Sequence, residues 1–165
     1  MSIRKFVDDD WNQVKEIYQL GIDTGVATFE TSPPEDLISW NEKIQRELTY
    51  VYEEDEKILG WVTLSKVSKR SVYKGVGEIS IYIHPNHKRK NIGKQLYAEF
   101  EQHARDLGYW TIQAQLFTEN EASKLFFESQ GFRQVGIREK IGQLKGSGLT
   151  TIFMRKTLTK SKNPD

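Results

Sequence analysis

The sequence predicts an α/β fold, and three observations carry the prediction. Apolar residues alternate with period two in short runs such as "GEISIYI", Gly77 to Ile83, as half-buried strands require. Elsewhere they recur with helical period, as in Ile92, Leu96, Phe100, Ala104 and Leu107. The two kinds of segment interleave along the chain, in the order β-α-α-β-β-β-α-β-α-β-β, and no internal repeat points to a solenoid.

The elements follow in order. Ile3 to Val7 reads as a first strand, and Asp8 to Asp10 offer N-cap carboxylates to a helix whose apolar face is Trp11, Val14, Ile17, Tyr18 and Ile22. That helix stops by Gly25. Pro34 stands at the start of a second helix, on which Leu37, Ile38, Trp40, Ile44 and Leu48 recur at near-helical spacing. "TYVYEEDEKILGWVTLSKV" reads as two strands around a charged turn, and Gly77 to Ile83 as the next, completing an antiparallel meander. From Ile92 the period changes to helical and runs to Gly108, a suitable residue just past a helix end. The strand "WTIQAQLF", a short helix from Asn120 to Gln130 ending at Gly131, and the strands "FRQVGIREKIG" and "LTTIFMRKTL" complete the chain. The domain is expected to span residues 1–158, with the polar tail 159–165 frayed.

Composition narrows the function. A chain of 165 residues is long enough for one well-buried core. Its 24 Lys and Arg nearly cancel its 23 Asp and Glu, so it lacks the general positive field of a nucleic-acid binder. No cysteine is present, which excludes a disulfide scaffold, thiolate metal sites and a cysteine nucleophile. The three histidines have no spacing suited to a metal site, so no metal is expected. No apolar segment approaches the roughly 20 residues needed to cross a bilayer. These features set the expectation of a cytoplasmic protein that binds neither membrane nor nucleic acid.

Against this neutral background the run Lys88, Arg89, Lys90 and Lys94 stands out, because it surrounds the start of the long helix. A helix N-terminus already carries positive partial charge, so cations there are unfavourable unless an anion joins them. A strand that feeds a glycine-containing loop at a helix start aims several unpaired N–H groups at one point, an arrangement suited to phosphate. Taken alone, the basic run reads more readily as a solvated loop, as most charge runs are.

The surrounding residues tip the balance. "IYI-HPNH-KRKNIG" resembles the signature of the GNAT N-acetyltransferases, in which an apolar strand end leads into Q/R-x-x-G-x-G/A at the head of a long helix. Lys88 stands where Gln or Arg is usual, Asn91 where the first Gly is usual, and Gly93 matches. Asn is the non-glycine residue that best tolerates a left-handed backbone, so Asn91 can keep the shape of the loop. Downstream, "NEASKLFFESQGF" resembles the second segment of that family, with Asn120, Ser123, Gly131 and Phe132 in place; helix capping is the plain alternative for Asn120 and Ser123.

The resemblance implies a mixed, largely antiparallel central sheet with helices on both faces, and acetyl-CoA as acetyl donor. It implies that Asn91, Ile92, Gly93 and Lys94 cradle the diphosphate, with Lys88, Arg89 and Lys90 adding charge, and that Asn120 and Ser123 flank the other side of the CoA arm. Backbone groups of Ile81, Tyr82 and Ile83 would grip the pantetheine amides and polarise the thioester.

Within the superfamily, the N-terminal half resembles the phosphinothricin and amino-acid N-acetyltransferases. The carriers are "IYQLGIDTGVATFETSPPEDLISW", with Phe29 and Trp40 in the aromatic places, and "GEISIYI", whose Glu78 matches a carboxylate used as base. Lys74 falls where relatives place a cation for the substrate carboxylate, and Tyr73 joins Phe29 and Trp40 in closing the acceptor pocket. Gly148, Leu149 and Thr150 depart from the residues usual near the acceptor, which leaves the acceptor open. Phe127 occupies the position where many relatives carry a Tyr or His as general acid. Relatives are often dimers, so a homodimer is a further implication.

The chemistry is that of a direct transfer. An amine arrives mainly as ammonium and must lose a proton before its lone pair attacks a thioester, and a carboxylate such as Glu78 can accept that proton. Three alternatives remain at this level: acetylation of a protein or peptide amine, a CoA-binding module without turnover, and a nucleic-acid patch on the basic loop.

Overall fold

The computed structural model describes residues 1–25, 32–68, 71–88, 91–144 and 147–158. Strand β1 (Ser2–Lys5) leads into helix α1 (Trp11–Ile22) and the short helix α2 (Leu37–Asn41). The strands β2 (Tyr50–Glu54), β3 (Lys57–Lys66) and β4 (Val76–Ile83) form the meander. Helix α3 (Ile92–Asp106) crosses to β5 (Thr111–Phe117), helix α4 (Glu121–Ser129) follows, and β6 (Arg133–Leu144) and β7 (Ser147–Thr157) close the chain as a hairpin.

The seven strands make one sheet in the order β1-β2-β3-β4-β5-β7-β6. Every pairing is antiparallel except β4 with β5, which need the α3 crossover to run the same way. The mixed sheet with its helices is the architecture the sequence predicts. Because side chains alternate across a strand, the sheet separates two cores. On one face Leu64, Ile79 and Ile112 pack with Ile92, Leu96, Tyr97 and Phe100 of α3. On the other, Trp61 and Val51 pack with Val14, Ile17 and Tyr18 of α1 and Trp40 of α2.

Helix ends follow the glycines. Gly25, Gly108 and Gly131 stand just beyond α1, α3 and α4 with φ of 77°, 90° and 96°, the left-handed turn that ends a helix at little cost only when the residue has no Cβ. Leu107 is 54% exposed, because the stripe of α3 ends one turn earlier, at Ala104; Tyr97, absent from the predicted stripe, is 2% exposed.

Two expectations are corrected. Asp8 to Asp10 form a short 3-10 turn, and no aspartate side chain caps α1. The Asp10 carboxylate instead accepts the Val7 N–H at 2.9 Å and two Arg4 N–H groups at 2.8 and 2.9 Å. Burial pushes the Asp10 carboxyl up, but these donors outweigh it and hold it below the usual range.

The second helix is also much shorter than predicted. α2 has five residues, capped by Asp36, whose carboxylate accepts the Ser39 N–H at 2.9 Å. Beyond it the chain lies along β3: Ile44 makes an isolated antiparallel bridge with Ser65, and the Gln45 N–H donates to the Leu64 carbonyl at 2.9 Å. Trp40 and Ile44 enter one core and Leu48 the other, so the four-residue spacing that imitates a helix serves contacts on opposite faces of the sheet.

Candidate active site

The site arises where β4 and β5 part. Their parallel pairing covers only Val76 with Thr111, Gly77 with Ile112 and Glu78 with Gln113, yet β4 runs on to Ile83 and β5 to Phe117. Past Glu78 the facing edges therefore carry backbone N–H and C=O groups that do not pair with each other, in a cleft rather than on an open surface. Such groups demand partners, and an extended ligand with amides of its own supplies them. The cleft has a volume of about 670 Å³ and passes between the strands from one face of the sheet to the other.

Glu78 sits at the vertex of this opening, in the last paired row. Its Cα partner on the other side is Ser65 of β3. Burial pushes the Glu78 carboxyl up, partly opposed by the Arg138 guanidinium. A carboxylate raised in this way holds a proton more strongly than one in water, which suits a group that must take one.

On the Glu78 face, the antiparallel register sets Trp61 opposite Tyr82 and Thr63 opposite Ser80. Trp61 and Tyr82 stack with centroids 4.8 Å apart at 18°. Tyr18 lies 5.1 Å from Tyr82 and 5.4 Å from Trp61, and Trp40 meets Trp61 edge-on at 5.3 Å. α1 approaches so closely that a Cβ on Gly21 would stand 2.4 Å from the Tyr82 ring. The result is an aromatic wall around one end of the cleft. Trp61 and Tyr18 were not predicted in the site; the alternation of β3 opposite "ISIYI" pointed to Trp61 once the hairpin register was fixed.

At the other end lies the start of α3. Asn91 has φ 59° and ψ 23°, the left-handed conformation its identity predicts. The N–H groups of Ile92, Gly93 and Lys94 precede the first full-turn bond of the helix, which runs from Gln95 to Asn91 at 3.1 Å. Lys88, Asn91, Gly93 and Lys94 line the cleft here. A Cβ on Gly93 would come 3.2 Å from Phe126, so this glycine also lets α4 pack against α3. Asn120 caps α4, accepting the Ser123 N–H at 3.2 Å, and both residues line the cleft.

The remaining predicted positions divide. Ile81, Tyr82, Ile83 and Trp40 line the cleft. Ile92 is fully buried; its side chain anchors α3 in the core and is absent from the lining. Tyr73 is 47% exposed, Lys74 is exposed, and neither belongs to the described lining. Phe29, Arg89 and Lys90 lie outside the described residues. Phe127 is buried against Phe126 and Phe132 and offers no proton. Among the described residues no cluster of three or more His, Asp or Glu is placed to hold a metal, and no helix is long and apolar enough to cross a membrane.

The left-handed backbone at Asn91 gives a direct test. Asn91→Ala is expected to lose about 1–2 kcal/mol of stability, while Asn91→Gly keeps or slightly raises it, as read from urea midpoints. Equal midpoints for the two variants would mean that the loop relaxes out of this conformation.

Residues 12–132 match the model of the Acetyltransferase (GNAT) family. Among curated proteins, the chain is 27% identical over 169 residues to the L-amino acid N-acyltransferase MnaT of Escherichia coli K12, covering all of this chain and 98% of that protein. It is 28% identical over 162 residues to the phosphinothricin N-acetyltransferase of Alcaligenes faecalis, covering 95% and 82%. Among solved structures, a GNAT superfamily phosphinothricin acetyltransferase from Sinorhizobium meliloti in complex with acetyl-CoA superposes with a TM-score of 0.85 at 27% identity, over 95% of this chain and 88% of that one.

Proposed function

The chain belongs to the GNAT acetyltransferase family, and we propose that its cleft acetylates the amine of an amino acid or a phosphinothricin-like analogue. The protein is an acetyl-CoA-dependent N-acetyltransferase. The observation that carries the reading of the site is the parting of β4 from β5 immediately past Glu78. It leaves backbone donors and acceptors for the amides of the pantetheine arm, and it sets a half-buried carboxylate at the point where that arm would end.

The assignment of roles follows the two ends of the cleft. The start of α3, with Asn91, Gly93, Lys88 and Lys94, receives the diphosphate, where free N–H groups, the helix dipole and two ammonium groups act together. Asn120 and Ser123 flank the arm from α4. The acceptor enters at the aromatic wall of Trp40, Trp61, Tyr18 and Tyr82. Its ammonium gives a proton to Glu78, the freed nitrogen pair forms a bond to the thioester carbonyl carbon, the carbon–sulfur bond breaks with its electron pair leaving on sulfur, and the second proton that the nitrogen sheds on becoming an amide goes to that thiolate. The thiolate is a competent leaving group, so Phe127 in place of an acid is compatible with turnover. Backbone N–H groups on the cleft edge of β4, past its pairing with β5, suit the oxygen on which charge develops.

The test is thiol release from acetyl-CoA against free amino acids, amino-acid analogues, polyamines and peptides. The expected result is turnover with single amino acids or their analogues. Turnover confined to peptides would replace this acceptor with a protein amine.

A further inference from the structure

We propose that Lys43 pairs with the carboxylate of the amino-acid acceptor and so sets the substrate class; this rests on the reading of the cleft given above. The assignment comes from placement. Trp61, Thr63 and Ser65 on β3 share a face with Glu78, Ser80 and Tyr82 on β4, and Lys43 lines the same part of the cleft. Its backbone is fixed by the segment that follows it: Ile44 bridges Ser65, and Ser65 is the Cα partner of Glu78. The Ile44 and Glu78 backbones are thus two strand spacings apart, roughly 10 Å. A Glu side chain from one side and a four-carbon Lys stem from the other leave between them the room for a group that carries its nitrogen and its carboxylate on one carbon.

Charge supports the same conclusion. Among the described lining residues the cations are Lys43, Lys88 and Lys94, and the last two belong to the start of α3 at the other end of the cleft. Lys43 is therefore the one described cation in the lining on the Glu78 face. Its side chain makes no hydrogen bond or ion pair among the described residues, whereas Lys15 donates to the Glu35 carbonyl at 2.9 Å and Lys156 to Glu101 at 2.6 Å. One carboxylate and one unpaired ammonium facing a common chamber complement a zwitterion. A polyamine would meet Glu78 with one end and a repelling Lys43 with another. Lys43 and Lys74 are both exposed, but Lys74, the cation the sequence points to, lies outside the lining, and Arg138 is held on β6 with its guanidinium 4.9 Å over the Phe153 ring.

The experiment compares the best amino-acid substrate with the primary amine obtained by removing its carboxylate. The wild type, Lys43→Met, Lys43→Arg and Lys74→Met are assayed at one pH, so that the difference in amine pKa cancels in each ratio. Lys43→Met is expected to lower kcat/KM for the amino acid roughly 10- to 100-fold, the worth of a charge-assisted hydrogen bond, and to leave the simple amine within about threefold. The amine serves as an internal control for folding. Lys43→Arg should restore most of the preference, and Lys74→Met should leave it unchanged. Amino-acid turnover by the wild type with the preference intact in Lys43→Met would overturn the Lys43 assignment alone, as would a selective loss in Lys74→Met. Wild-type turnover only of amines without a carboxylate would overturn the amino-acid reading of the acceptor, and this inference with it.

Discussion

Glu78→Gln is expected to lower kcat by about 10²- to 10⁴-fold at pH 7, with acetyl-CoA affinity nearly unchanged. Gln keeps the shape and hydrogen-bonding capacity of Glu but cannot take the proton of the incoming ammonium. The wild-type rate should rise along an acidic limb that reports ionisation of Glu78. Burial lifts that limb above the ordinary carboxylate value of about 4.3, while Arg138 moderates the lift. The variant should lack this limb and recover part of its rate as pH approaches the acceptor's own pKa, where free amine is abundant. Wild-type kcat in the variant at pH 7 would remove Glu78 as base and leave a water chain or Tyr82 to be tested.

The same substitution has a stability signature of known sign. The folded-state pKa of Glu78 is raised above its unfolded value, so the folded chain binds more protons between the two values. Its contribution to stability is complete below the unfolded pKa and is lost as pH rises through the folded one. Gln does not titrate. The variant should therefore be at least as stable as the wild type at pH 7, and the difference should vanish in acid, as thermal midpoints across pH would register. A merely structural Glu78 predicts the reverse pattern, with lost stability and retained turnover. Activity and stability moving in opposite directions is the mark of a group held in its place for chemistry.

Why the sequence announces some of this and not the rest follows from which features are local. Asn91 was legible because a left-handed residue at a helix start must be Gly or one of the few side chains that tolerate positive φ. Gly25, Gly108 and Gly131 were legible for the same reason. The length of α2 was not, since Trp40, Ile44 and Leu48 keep helical spacing while the sheet draws them to opposite faces. The cleft itself was not readable from composition or periodicity: it depends on where the parallel pairing of β4 and β5 ends, and no residue between Glu78 and Ile83 encodes a break. The family resemblance singled out Glu78 and the residues of the loop that leads into α3. It did not supply Lys43 or Trp61, whose places depend on the Ile44–Ser65 bridge and on the register of β3 with β4.

Trp61→Ala is expected to have the second large effect, on stability and on acceptor recognition together. Trp61 is 1% exposed and touches three aromatic rings at centroid distances of 4.8 to 5.4 Å. Removing so large a buried ring is expected to cost about 3–5 kcal/mol, because the surrounding side chains only partly collapse into the space. Its loss would also leave Tyr82 without its stacking partner, so the aromatic wall of the acceptor end should loosen while the α3 end keeps its shape on the far side of the sheet. The acceptor KM should therefore rise at least tenfold against a nearly constant acetyl-CoA KM, measured below the lowered melting transition. Trp61→Phe separates these contributions and remains available if the alanine variant does not fold. The Trp61 indole N–H is buried with no acceptor among the described residues, so Phe forfeits no hydrogen bond there and is expected to lose about 1–3 kcal/mol, less than the alanine variant because a smaller volume is emptied. Should both KM values rise together in Trp61→Phe, the ring would be supporting the whole cleft, and the division of the site between the two faces of the sheet would fall.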